Sequence, residues 1–195
     1  NGYPVSAPSS DDDFSATKLG GQWEWNHNPR DSHWSLTERP GWLRLTASKV
    51  LPNNQNHGPK INEWTNNDGS DSDFWRASNT LSQRIMGITT GTAVAKFDIA
   101  GMKPNQLAGF VRYGGVFNLL GVQMNEQGKK HLFYMDPMSN KTVGPEVTGN
   151  DLYVRTSNAR NQATYEYSFA GSDGVKATAK DLVQLGQMYL NQGRS

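Results

Sequence analysis

The sequence predicts an all-β fold, an antiparallel β-sandwich or jelly roll, closed by one short C-terminal helix. Three observations carry that expectation. Apolar residues recur at period two in short runs along most of the chain. Turn-forming residues interrupt those runs at frequent intervals. Helical spacing is confined to the C-terminal end. Many short strands with frequent turns and little helix need two sheets to bury their apolar faces.

Taken in order, residues 1–13 read as a linker. Val5-Ser6-Ala7-Pro8-Ser9-Ser10 runs into Asp11-Asp12-Asp13 with nothing apolar to bury. The start Asn1-Gly2-Tyr3-Pro4 shows neither the charged nor the apolar region of a signal peptide, so the chain reads as a piece of something longer. Residues 14–170 carry the sandwich pattern. Leu43 and Leu45 share one face of a run, as do Leu81, Gln83 and Ile85, and then Ala93, Ala95, Phe97 and Ile99. Further on come Leu120, Val122 and Met124, Leu132 and Tyr134, Leu152 and Val154, and Tyr165, Tyr167 and Phe169. Arg39-Pro40-Gly41, Lys103-Pro104-Asn105, Gly114-Gly115, Glu126-Gln127-Gly128 and Thr148-Gly149-Asn150 supply turns between them.

Two stretches break the pattern. Residues 51–76 form a long polar insertion that carries Trp64, Phe74 and Trp75; a loop of that length in a compact domain is usually functional or mobile. Residues 171–195 are expected to be helical. Thr178 caps with Asp181 three residues on, Leu182, Leu185, Tyr189 and Leu190 keep helical spacing, and Gly193 stands where a terminating glycine would. This places a helix over about residues 179–191.

Composition narrows the function classes. The chain has 195 residues, 19 Lys and Arg against 18 Asp and Glu, and a formal net charge of +1 with both signs interspersed. No basic stripe is present, so neither nucleic acid nor an anionic membrane is an expected partner. Mean hydropathy is −0.72 and no run approaches the length of a membrane span. Cysteine is absent, which removes disulfides, thiolate catalysis and cysteine-based zinc sites. Six Trp, seven Tyr and seven Phe sit among many Asn, Gln, Ser, Thr and Gly residues. Aromatic faces beside amides and hydroxyls suit a pyranose, whose C–H face stacks on a ring while its hydroxyls take directional bonds. The same aromatics also suit an ordinary β-sheet core.

No catalytic constellation stands out. Glu24, Glu38 and Glu63 are available acids, but a glycosidase needs two carboxyl groups across one bond, roughly 5–10 Å apart, and spacing along a chain does not pair them. There is no Gly-x-Ser-x-Gly elbow, no His-Glu-x-x-His and no phosphate-binding glycine loop. Asp68 to Asp73 lacks the order of a calcium loop; Asp11 and Asp13 offer a weak structural-calcium expectation, and no other cofactor is implied. The strongest local feature is Gln22-Trp23-Glu24-Trp25-Asn26-His27-Asn28-Pro29, where two Trp at spacing two share a strand face and Asn26 and His27 add neutral donors and acceptors. Arg76 through Arg84 forms a second, with two arginines suited either to a ligand or to carbonyls at an interface.

The blocks from Leu19 to Pro29, from Trp34 to Leu45, from Asn79 to Arg84 and from Ala108 to Phe110 closely resemble one known module. It is the C-terminal β-sandwich of glycoside hydrolase family 43 β-xylosidases, arabinofuranosidases and exo-xylanases. The resemblance covers about residues 9–170. It implies a concanavalin-like jelly roll, a secreted extracellular setting, and catalytic carboxylates in an upstream propeller rather than in this module. It also implies a loop aromatic that helps close the active site in some members, a part open to Trp64, Phe74 or Trp75. The last twenty residues or so look instead like a helix of serine β-lactamase-type esterases, without the Ser-x-x-Lys motif. The expected function is a non-catalytic module that binds xylan or xylo-oligosaccharides through Trp25, Asn26, His27, Trp75, Arg76, Gln83, Arg84 and Tyr113. The alternative is a structural domain that packs on the catalytic propeller and has no sugar affinity of its own.

Overall fold

The period-two runs become strands in a computed structural model that describes residues 2, 9–49, 74, 77–84, 90–113, 117–136, 140–159, 162–169 and 177–178. The chain divides into two compact units, one up to residue 86 and one from residue 87 onward, with a short exchange at 61–66.

The second unit holds two antiparallel four-stranded sheets. Strands β5 (Thr90–Asp98), β10 (Asp151–Ala159), β11 (Gln162–Ser168) and β12 (Ala177–Thr178) form one, in the order β12-β11-β10-β5. Strands β6 (Leu107–Tyr113), β7 (Phe117–Met124), β8 (Lys130–Met135) and β9 (Lys141–Glu146) form the other as a meander. Alternation puts Leu120 and Val122 of β7 and Leu132 and Tyr134 of β8 on one side. Leu152 and Val154 of β10 and Tyr165 of β11 meet them in one fully buried cluster with Ile99 and Val147. Each such aliphatic or aromatic side chain contributes about 1.5–3 kcal/mol by leaving water. This is the predicted sandwich, and the same runs that patterned the sequence make its core.

One feature of the β6–β9 sheet exceeds the prediction. Phe117, Phe133 and Met135 are as buried as the core cluster, yet register puts them on the opposite face, so β7 and β8 are covered on both sides. Glycine is required where β6 meets β7. Gly109 lies opposite Gly121, and a Cβ on Gly121 would stand 2.2 Å from the carbonyl oxygen of Ala108. The hairpin turn before β8 needs the other property of glycine, since Gly128 sits at φ 77°.

In the first unit, β1 (Trp23–Trp25) pairs with β4 (Leu81–Gln83), and β2 (Trp34–Ser35) pairs with β3 (Arg44–Leu45). These strands are too short to stand alone, and side chains bond the intervening turns. Asn79, buried and held at φ 56°, accepts from the Arg30 N–H at 2.9 Å and donates to the Arg30 carbonyl at 3.0 Å. Asparagine tolerates that left-handed backbone better than most residues. The run that aligned Leu43 with Leu45 yields only a two-residue strand, and Leu45 is 49% exposed rather than buried.

At the C-terminal end, Ala177–Thr178 lies within the stretch expected to be helical. It forms a strand instead, pairing with Glu166 and Tyr167, because the edge of β11 offers free ladder groups. The expected helix over 179–191 lies outside the described residues.

Candidate functional site

The Trp-x-Trp strand builds the candidate site. Directly opposed residues of an antiparallel pair point to the same face, so Trp23 and Gln83 share a face with Trp25 and Leu81. Glu24 and Ser82 occupy the other face. Trp23 is anchored: its indole Nε1 donates to Asp12 Oδ2 at 2.7 Å, and its ring stacks on Phe14 at 5.5 Å. Asp12 also accepts from the Phe14 N–H at 2.8 Å. The segment read as a linker is therefore partly structural. Trp25 meets Trp34 with centroids 5.3 Å apart and planes 53° to each other, so the two rings form a wedge rather than a flat platform.

Two buried donors on these residues have no hydrogen-bond partner among the described residues, Trp34 Nε1 and Gln83 Nε2. A buried unpaired donor costs roughly 1–3 kcal/mol. Beside Trp25, Asn26 donates its backbone N–H to the Thr80 carbonyl at 2.9 Å and brings its amide within 3.5 Å of His27 Nε2. Trp25, Asn26, His27 and Gln83 thus lie together on or beside one short sheet.

Of the other expected site residues, Arg84 and Tyr113 are described. Arg84 follows Gln83, and its guanidinium Nε reaches Glu24 Oε1 at 3.0 Å, an exposed ion pair with the carboxylate of the opposite face. Arg84 is thereby drawn away from the Trp25 face. Tyr113 ends β6 in the other unit and is 37% exposed. Trp75 and Arg76 lie outside the described residues, as does Trp64. Phe74 is described and is buried, which does not suit a projecting loop aromatic.

Asp11, Asp12 and Asp13 line an open surface depression with Lys18 and Gln22. Asp12 and Asp13 spend carboxylate oxygens on the backbone N–H groups of Phe14 and Ser15, and the Asp13 pKa is lowered first by the Ser15 side-chain hydroxyl and then by the Ser15 N–H. Among the described residues no three or more His, Cys, Asp or Glu side chains converge for a metal. Of the acids considered for catalysis, Glu24 is paired with Arg84 and Glu38 with Arg44 at 3.3 Å. Glu63 lies outside the described residues. Sequence reasoning missed Trp34 as the ring that meets Trp25, although it stood in one of the resemblance blocks.

The antiparallel sheets are those of a concanavalin-like all-β sandwich. Comparison with known proteins makes the assignment specific. The family model "Beta xylosidase C-terminal Concanavalin A-like domain" matches residues 11–194, and the chain belongs to that family. The match takes in the C-terminal stretch that the sequence set apart. A β-xylosidase of Formosa agariphila is 80% identical over 173 residues, which are 89% of this chain and 29% of that protein. The chain thus spans less than a third of that relative's length. A putative β-xylosidase of Xylanibacter ruminicola is 60% identical over 35 residues, 18% of this chain and 7% of that protein. Among solved structures, a bifunctional GH43-CE protein of Bacteroides eggerthii superposes with TM-score 0.65 at 26% identity, over 83% of this chain and 19% of that one. A xylan β-1,4-xylosidase from Bacillus halodurans gives 0.64 at 18% identity, over 88% and 30%, a likeness of fold.

Proposed function

We propose that the chain is a non-catalytic, ancillary module of a family 43 glycoside hydrolase acting on xylan-type polymers, and that the Trp25–Gln83 face is its contact surface for the catalytic part of that enzyme. The supporting observation is the state of the aromatics. Trp23, Trp25 and Trp34 are half-buried and mutually wedged or anchored. Half-buried aromatics are what a protein interface leaves when its partner is removed. The test is to add the 195-residue chain to a separately produced catalytic domain of a family 43 β-xylosidase at least as similar as the Formosa relative. Saturable association, weakened at least tenfold by Trp25→Ala with folding intact, supports the proposal. No association at high micromolar concentration refutes it.

A second reading is favoured by one observation, that Trp25 stands on or beside the same short sheet as Asn26, His27 and Gln83, whose side chains offer hydrogen-bonding groups. In that reading the same face binds xylan or xylo-oligosaccharides. Affinity electrophoresis in gels with xylan, β-glucan or no polymer separates the two. Retardation by xylan that Trp25→Ala abolishes supports sugar binding, and equal migration in all gels leaves the interface. A ligand that binds only the folded chain must also raise its melting temperature. For the chain as an enzyme in its own right, turnover of an aryl xyloside that is lost in Glu24→Gln or Glu38→Gln is the decisive assay.

A further inference from the structure

The Trp25–Trp34 wedge joins the two small sheets of the first unit, because Trp25 ends β1 and Trp34 begins β2. Strands of two and three residues form too few ladder bonds to hold such a contact by themselves. Ties outside the ladders therefore decide how the two rings sit. At the Trp25 end these ties come from the residues that lead into β4. Asn79 bonds both backbone groups of Arg30, and Ser78 Oγ lies 2.9 Å from the Oγ of Ser48, a few residues beyond β3.

At the Trp23 end the tie is made by residues 12–14. Asp12 Oδ2 accepts from Trp23 Nε1 at 2.7 Å and from Gln22 Nε2 at 3.4 Å, while Oδ1 accepts the Phe14 N–H at 2.8 Å. The Phe14 ring stacks on Trp23 with centroids 5.5 Å apart. The Phe14 carbonyl accepts the Gly41 N–H at 3.2 Å, and Gly41 belongs to the loop that joins β2 to β3. Phe14 thus holds β1 with its ring and the β2–β3 loop with its backbone. It does so at φ 53°, a left-handed conformation that a bulky residue keeps only where its surroundings hold it. Asp12 supplies that hold, because its bond to the N–H two residues on closes an Asx turn around Phe14.

From this geometry we infer that Asp12 and Phe14 are positioning residues for the Trp25–Trp34 wedge. Among the described residues neither makes a hydrogen bond or ring contact with Trp25 or Trp34. They act through Trp23, which shares a strand face with Trp25, and through the loop that follows Trp34 and β2. Losing the tie at Trp23 leaves the wedge held from one end of β1. The use of the wedge as a contact surface rests on the function proposed above, whereas its positioning rests on the bonds of residues 12–14.

The test uses the 195-residue chain and follows the indole N–H resonances of Trp23, Trp25 and Trp34 by NMR. Asp12→Ala removes the acceptor of the Trp23 indole, so the Trp23 resonance moves whatever the fate of the wedge. The expected result is that the Trp25 and Trp34 resonances move as well, at least threefold further than in Arg84→Ala. That control breaks an exposed ion pair of the same small sheet. Asp12→Asn keeps one acceptor oxygen and should restore at least half of both shifts. Phe14→Leu keeps an apolar side chain without the stacked ring, and stands in if Asp12→Ala fails to fold; it should displace both resonances too. Trp25 and Trp34 resonances that stay in place while Trp23 moves overturn the inference, as do shifts no larger than those of Arg84→Ala. In the association assay with the catalytic domain, Asp12→Ala should weaken binding at least threefold. Displaced resonances with no catalytic domain bound, or with binding undiminished, support the positioning and overturn the contact reading alone.

Discussion

In the unit that carries β5 to β12, the side chains of Leu120, Val122, Leu132, Leu152 and Val154 are fully buried against one another. In the unit that carries β1 to β4, the described residues give only Leu36, Phe74 and Asn79 as buried, and the tryptophans stop at half-burial. The first arrangement is a core held by removal of apolar surface from water. The second is a set of short strands held by local bonds, Asn79 to Arg30 and Asp12 to Trp23, with aromatic surface left over. Among its described residues that unit leaves its tryptophans only half-buried, and the contact face proposed above falls there.

Substitutions break or sharpen this contrast. Leu132→Ala leaves a cavity in the sandwich and should cost about 2–5 kcal/mol in urea unfolding. A loss under 1 kcal/mol would mean that β8 is not central. Alkali probes the same core. Burial raises the Tyr134 pKa to about 12, a bond with Asn118 opposing, and burial with the nearby Tyr134 raises that of Tyr165 as well. A folded-state pKa above the unfolded value means the contribution is intact below about pH 10 and is lost as pH rises toward about 12, roughly 3 kcal/mol for Tyr134 alone. Melting temperature should fall steeply over that window in the wild type and less in Tyr134→Phe.

Gly121→Ala drives a methyl into the Ala108 carbonyl and should cost about 1–3 kcal/mol. In the other unit, Asn79→Ala removes both bonds to Arg30 and leaves at positive φ a residue that tolerates it less well than asparagine. About 2 kcal/mol is expected, with Asn79→Gly recovering the backbone part. If hydrogen exchange shows that Asn79→Ala loosens β5 to β12 as much as β1 to β4, the two units are not energetically distinct. Arg84→Ala breaks an exposed pair and should change stability by less than about 1 kcal/mol at moderate salt.

The contrast also explains what was readable in advance. Leu120 with Val122, Leu132 with Tyr134, and Leu152 with Val154 were legible because a half-buried strand writes period two into the chain, and the sandwich follows once several such runs exist. Phe117, Phe133 and Met135 broke that rule because strands covered on both faces carry apolar residues at every position. In the candidate site, the strand placed Trp23 with Trp25, since spacing two is one face. Alternation sets Gln83 and Arg84 on opposite sides of the strand, and only the Glu24 pairing fixed where Arg84 went.

The sequence by itself therefore determined the all-β class, the turns at Gly41, Asn105 and Gly128, and the Trp-x-Trp face, all set by neighbours along the chain. The tertiary structure alone decided that Trp34 would wedge against Trp25, that Asp12 would hold Trp23, and that Arg112 would bond Thr156 from the facing sheet. Those contacts join residues brought together by turns and by strand pairing, and no local periodicity encodes which distant partner a side chain will meet.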